Sequence, residues 1–141
     1  MLKDFNKYLK IILIITVLIG CKRNQQQIRN VPVNITIYPS TPAYFNLSVP
    51  GGWVYINGGV KGIIVYKKSN DEFLAYERCS TYEPENECAV NVDTTNNVIL
   101  IDPCSNSRFL ITDGSVQQGP AFQSLKKYFT SWDGNALYIS N

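Results

Sequence analysis

Two apolar runs, Gly62-Ile63-Ile64-Val65-Tyr66 and Phe73-Leu74-Ala75-Tyr76, stand on either side of the polar stretch Lys67-Lys68-Ser69-Asn70-Asp71-Glu72. Short runs rich in β-branched and aromatic residues, joined by a compact polar turn, read as a β-hairpin. Upstream, Trp53-Val54-Tyr55-Ile56 lies between the turn signals Pro50-Gly51-Gly52 and Asn57-Gly58-Gly59 and reads as a further strand. Before it, Asn46-Leu47-Ser48-Val49 continues the extended reading. Val31, Val33, Ile35 and Ile37 alternate with Pro32, Asn34, Thr36 and Tyr38, the period-two pattern of a half-buried strand. Downstream, residues 89–92, 97–101, 108–111 and 137–139 are strand candidates. So many short strands at close spacing predict an all-β sandwich or barrel. The only helical candidate is a turn or two over residues 121–126.

The chain of 141 residues allows one domain of ordinary size, and 17% charged residues beside nine Tyr and six Phe point to a folded one. It contains no histidine. That removes the usual proton shuttle near neutral pH, the Ser-His and Cys-His nucleophile pairs and every imidazole metal ligand. Ser80, Ser105 and Ser107 therefore lack an adjacent base, and a Ser-Lys arrangement with Lys126 or Lys127 has no motif behind it. The expectation is a protein that is not an enzyme.

Met1 to Lys10 carries Lys3, Lys7 and Lys10 against Asp4, and Ile11 to Gly20 is almost wholly aliphatic. This is the charged start and apolar stretch of a secretory signal, and the apolar run is about half the roughly 20 residues a spanning helix needs. It ends in Leu18-Ile19-Gly20-Cys21, which resembles the bacterial lipobox. The resemblance implies cleavage before Cys21, a diacylglyceryl group on its thiol and an acylated amino terminus, as with palmitate. Several acyl chains anchor a protein stably. An ordinary secretory peptide is the alternative. Residues 1–20 are thus read as a signal peptide, 21–30 as a polar flexible tether and 31–141 as the β domain. From Val31 onward acidic residues outnumber basic ones by three, which leaves no basic face for nucleic acid. The expected location is the cell envelope of a Gram-negative bacterium. Lys22, in place of an Asp after the lipidated residue, tilts this toward the outer membrane.

The segment Ile101-Asp102-Pro103-Cys104-Ser105-Asn106-Ser107-Arg108-Phe109, with Thr112-Asp113-Gly114-Ser115-Val116 and Gly119-Pro120-Ala121 beyond it, resembles the second half of a Rieske domain. There a cysteine-bearing loop precedes Gly-Ser-Arg-Phe, a hairpin with Asp-Gly and a Gly-Pro-Ala cover. Phe73-Leu74-Ala75-Tyr76-Glu77-Arg78-Cys79-Ser80-Thr81 is similar to the first half, and together the two cover about residues 62–141. The chain looks closer still to lipid-anchored, Rieske-like proteins of Bacteroidetes-type bacteria with a long acidic first loop and no ligand histidines. The resemblance implies a Rieske-like antiparallel β sandwich or barrel with a small inserted loop subdomain. A Rieske cluster takes two thiolates on one iron and two imidazoles on the other. By resemblance Cys79 matches a ligand Cys, Thr81 stands at the first His, Asp102 at the second ligand Cys and Ser105 at the second His. One family ligand remains, so the resemblance implies the fold without the cluster.

Lipidation of Cys21 would leave Cys79, Cys88 and Cys104, an odd number for an oxidising compartment. The family's structural disulfide implies Cys88 with Cys104, leaving Cys79 a partly buried thiol beside Asp102 and Ser105. Cys79 with Cys104 is the alternative pairing. A three-thiolate metal site completed by Asp102 is a further reading, since thiolates favour zinc, copper(I) or iron-sulfur centres. Glu83-Pro84-Glu85-Asn86-Glu87 reads as a solvated acidic loop, with a weak cation site as the sharper alternative. Tyr44, Phe45, Trp53, Tyr55 and Tyr66 read as packing residues, with a carbohydrate or partner surface as the alternative. These features together predict a membrane-anchored, noncatalytic Rieske-fold module with no cofactor, engaging an unknown envelope protein. An electron-transfer or metal-binding protein with a Cys-ligated iron-sulfur or other centre is the second expectation.

Overall fold

The computed structural model describes residues 27–141, so the signal segment, Cys21 and most of the tether lie outside the described residues. Among the described residues ten strands follow in chain order: β1 (Asn34–Ile37), β2 (Trp53–Ile56), β3 (Ile63–Lys67), β4 (Phe73–Glu77), β5 (Asn91–Val92), β6 (Ile99–Ile101), β7 (Arg108–Leu110), β8 (Val116–Gln118), β9 (Lys127–Trp132) and β10 (Leu137–Ser140). They form a six-stranded sheet in the order β1-β10-β9-β4-β3-β2 and a four-stranded sheet in the order β5-β6-β7-β8, every pairing antiparallel. Among the described residues no helix is long and apolar enough to cross a membrane.

The hairpin read from the sequence is β3 and β4, with Ile64 opposite Tyr76 and Val65 opposite Ala75. Its runs are continuously apolar because both faces are covered, as expected of strands buried on two sides. Ile64, Tyr66, Leu74 and Tyr76 pack with Val92, Leu100, Phe109 and Ile111 of the smaller sheet and its loops. Ile63, Val65, Phe73 and Ala75 turn the other way, onto Ile37, Leu47, Tyr128, Leu137 and Ile139. Full burial of a large apolar side chain contributes about 1.5–3 kcal/mol, so this hairpin, which serves both cores, holds the two halves together.

Two expectations are corrected. Residues 121–126 are not helical. Their backbone groups serve other elements: Ala121 N donates to Ser107 Oγ, Leu125 N to the Gly114 carbonyl, and the Gln123 and Lys126 carbonyls accept from Thr81 Oγ1 and Glu77 N. A helical ladder would need those same donors and acceptors. Residues 46–49 are not extended throughout, since Pro42–Ser48 winds as tight helical turns with Pro at the start, where its missing N–H costs nothing, and buries Leu47. A second short turn of the same kind, Pro84–Asn86, lies in the acidic loop.

Candidate functional site

Two loops meet at one end of the sandwich. Residues 78–90 leave β4, and residues 102–107 connect β6 to β7. The first is closed at its base by Ser80 N to the Cys88 carbonyl and Val90 N to the Arg78 carbonyl, both at 2.7 Å. The Arg78 guanidinium lies 3.8 Å above the Tyr55 ring and donates to the Val90 carbonyl and Asn91 Oδ1. The second loop turns through Asn106, whose φ of 60° suits a residue tolerant of the left-handed region. A disulfide joins Cys88 to Cys104 across the two loops, with their Cα atoms 6.3 Å apart.

Beneath that bridge Asp102 is wholly buried. Its Oδ2 accepts from Ser80 Oγ and Ser105 Oγ, each at 2.6 Å, and its Oδ1 accepts from Cys104 N at 2.9 Å. Ser105 and Ser107 oxygens are 2.7 Å apart, and Ala121 N donates to Ser107 Oγ at 2.9 Å. Each hydroxyl carries one proton, and Ser105 gives its proton to the carboxylate, so Ser107 donates to Ser105. A continuous chain therefore runs from the Ala121 amide through two serines to the Asp102 carboxylate, each bond polarising the next. Thr81 stands outside it and donates to the Gln123 carbonyl at 2.7 Å. The segment after β8 thus covers both loops through Ala121 and Gln123.

A second buried carboxylate, Glu77, ends β4 just before the first loop. Its Oε2 accepts from Val60 N at 2.7 Å and Tyr128 Oη at 2.8 Å, and its Oε1 from Lys61 N and Cys79 N, both at 2.9 Å. Burial, followed by the hydrogen bond to Glu77, raises the Tyr128 pKa. Cys79 is 1% exposed, with Sγ 3.6 Å from the Pro84 carbonyl and 3.8 Å from that of Ser80. Burial, with added repulsion from Glu77 and Glu87, pushes its thiol up to about 11, so it is a neutral thiol near pH 7. The expectation of a partly buried Cys79 beside Asp102 and Ser105 is therefore corrected: it is fully buried, and Ser80 and Ser105 occupy the carboxylate. The three-thiolate arrangement is corrected too. Cys88, Asp102 and Cys104 place their ligand atoms within 4.8 Å of one another, and Cys79 is not in that group.

No protein-family model matches the sequence, and no curated protein matches it significantly. Among solved structures, the plasma membrane Rieske protein PetC3 of the cyanobacterium Synechocystis PCC 6803 is similar at 26% identity and a TM-score of 0.54, over 78% of this chain and 98% of that one. The domain is Rieske-like. The ferredoxin of carbazole 1,9a-dioxygenase from Nocardioides aromaticivorans IC177 is also similar, at 16% identity and a TM-score of 0.47, over 78% of this chain and 97% of that one.

Residues 78–90 and 102–107 are the two loops that the Cys88–Cys104 bridge joins. Asp102 and Ser105, singled out from the sequence, are brought together. Cys79 and Thr81 are not joined to them: one thiol turns toward Pro84, and the other side chain toward Gln123. Ser80 and Ser107, weighed in the sequence only as nucleophiles, and Glu77 are buried polar residues whose hydrogen-bonding roles sequence reasoning did not find. A carboxylate at the end of an otherwise apolar strand was the available signal for Glu77. In the acidic loop Glu87 is drawn to Arg29 at 3.5 Å and Lys61 at 3.9 Å. Of the aromatic residues Tyr66 is buried, Trp53 packs 5.0 Å from Tyr55, and Phe45 is 71% exposed.

Proposed function

We propose that this protein is a membrane-tethered Rieske-fold module that carries no Rieske cluster and serves as a noncatalytic binding or structural component of a bacterial envelope. The observation that supports this best is the Asp102 carboxylate, taking hydrogen bonds from Ser80, Ser105 and Cys104 where the fold would present a ligand thiolate. Histidine-ligated iron needs imidazoles, and the chain has none. Hydroxyls at residues 81 and 105 are poor substitutes, because each is already committed to a protein acceptor. With donors and acceptors matched, the two loops hold together without a metal between them. The lipobox-like end of residues 1–21 supports attachment through Cys21 to an envelope membrane, the outer one by the residue that follows, and the similar cyanobacterial protein is itself a plasma membrane protein. An envelope protein is the partner this reading assigns.

The full-length chain purified in detergent under anaerobic conditions tests the proposal by iron and sulfide analysis together with visible absorption. Colourless protein without stoichiometric iron is expected, and a visible spectrum with two irons per chain would overturn the reading. Cys21→Ser is expected to abolish lipid labelling; labelling that persists would remove the anchor.

A further inference from the structure

The meeting point of the two loops is chemically richer than a clamp. Cys88 Sγ, Cys104 Sγ and an Asp102 carboxylate oxygen lie within 4.8 Å of one another. We propose that reduction of the Cys88–Cys104 disulfide turns this point into a site for a zinc-class divalent metal, with two thiolates and the Asp102 carboxylate as ligands and water in the fourth position.

The donor set suits that ion. Zinc takes thiolate and carboxylate together at about 2.3 Å and 2.0–2.2 Å in tetrahedral array. Ligand atoms of such an ion are roughly 3.3–3.8 Å apart; reduction frees the two bonded sulfurs to separate to that spacing, and the Asp102 carboxylate oxygen already lies within 4.8 Å of both. Cα atoms 6.3 Å apart allow both sulfurs to reach one ion. Asp102 is already aimed: Ser80 and Ser105 hold Oδ2 and the Cys104 amide holds Oδ1, as outer-shell hydrogen bonds orient a ligand. Cys104 is exposed and Cys88 half-buried, which leaves an entry path and room for water.

The charge balance also favours a cation once the bridge is open. A dithiol reductant of the thioredoxin class transfers two electrons and two protons to the Cys88 and Cys104 sulfurs and becomes a disulfide itself. Two thiolates and one carboxylate would crowd three negative charges into one small volume. Metal binding releases the two thiol protons to solvent and leaves one net negative charge. The metal then replaces the covalent link between the loops, so that they stay joined in either redox state. The inference does not rest on the absence of a Rieske cluster, and iron analysis of the same sample reports on that question separately.

The test uses the full-length chain in detergent, with and without phosphine reduction, titrated anaerobically with zinc against a chromophoric chelator and with cobalt(II) as a spectroscopic probe. One equivalent of zinc is expected in the reduced protein and none in the oxidised one. Cobalt is expected to give tetrahedral ligand-field bands with charge-transfer intensity for two thiolates. Cys88→Ser and Cys104→Ser are expected to abolish these bands. Asp102→Asn is expected to weaken zinc binding roughly tenfold or more, the scale of losing even an outer-shell partner, and Cys79→Ser to leave it unchanged. If Asp102→Asn fails to fold, the thiolate count from the cobalt spectrum of the unaltered chain still decides. Equal binding by the oxidised protein, no binding after reduction, retention of the bands in Cys104→Ser, or their loss in Cys79→Ser would each overturn the proposal.

Discussion

Glu77 brings a carboxylate into the interior without an ion-pair partner among the described residues, and its stability there rests on four donors: three backbone amides and the Tyr128 hydroxyl. Glu77→Gln keeps the shape but, in either amide orientation, aims an NH2 at one or more backbone N–H groups that can only donate. Hydrogen bonds to a charged acceptor contribute about 1.5–3 kcal/mol, so a loss of roughly 2–3 kcal/mol is expected in chemical denaturation. Loss below about 0.5 kcal/mol, within the range of ordinary surface substitutions, would show that Glu77 does not hold this junction. Tyr76 offers the opposite case. Its hydroxyl is buried with no hydrogen-bond partner among the described residues, and burial raises its pKa. Tyr76→Phe removes an unsatisfied group and keeps the ring, so it is expected to leave stability unchanged or raise it by about 1 kcal/mol. A clear drop in denaturation midpoint would mean that the hydroxyl has a partner. Asp102 and Ser105 could be singled out from the sequence because a motif surrounds them. The bond from Ser80 could not be read there, since its partner Asp102 is 22 positions away, and neither could the Glu77 and Tyr128 pair, 51 positions apart. Local patterns do not report contacts at that separation.

Strands whose apolar residues alternate or run continuously were legible in the sequence: β1, β2 and the β3–β4 hairpin, and the shorter apolar runs that became β5, β6, β7 and β10. β9 was missed because its residue types do not follow its alternating burial, with the apolar Phe129 69% exposed beside the buried Tyr128, and β8 because Val116-Gln117-Gln118 has a single apolar residue. The helical reading of residues 121–126 failed because composition is silent about backbone groups already engaged by Thr81, Ser107 and Gly114. Turns carry their own tests. Gly59, at φ 61°, sits over the Glu77 carboxylate, and an added Cβ would collide with Glu77 Oε2 and crowd Tyr128 Oη. Gly59→Ala is therefore expected to destabilise by more than the roughly 1 kcal/mol scale of a left-handed alanine alone. A smaller change by thermal melting would mean that the loop above Glu77 relaxes freely. At the β9–β10 turn Asp133 accepts from Ala136 N and Asn135 N, and these bonds hold its carboxyl below the usual carboxylate range. A depressed folded pKa means that the contribution is present above the unfolded value near 3.8 and is lost as pH falls through the lower folded value. Asp133→Ala is expected to reduce the stability difference between about pH 6 and about pH 2.5; an unchanged difference would remove this turn from the acid response.

Across the whole molecule the six-stranded sheet is continuous from β1 to β2, while the smaller sheet reaches it through core packing, the covering segment after β8 and the loop junction. The Cys88–Cys104 bridge lies at that junction and is the one covalent link between the loops. Closing a loop of 16 residues restricts the unfolded chain by an amount worth about 3 kcal/mol in the chain-entropy model. For a domain of this size 1 kcal/mol shifts the midpoint by roughly 3–6 °C, so Cys104→Ser is expected to lower the melting temperature by about 10–15 °C. Cys79→Ser provides the comparison, because it removes no crosslink and the serine hydroxyl can still donate toward the Pro84 carbonyl that now lies 3.6 Å from Sγ. Its expected shift is a few degrees at most, on the scale of about 1 kcal/mol for one neutral hydrogen-bonding site. Peptide mapping without reduction supplies the direct readout: a Cys88-linked Cys104 peptide with Cys79 unpaired is expected. A Cys79-linked peptide, or equal melting losses from the two substitutions, would show that another pairing holds the loops and would assign the stability of this end of the molecule to the buried Asp102 hydrogen-bond chain instead.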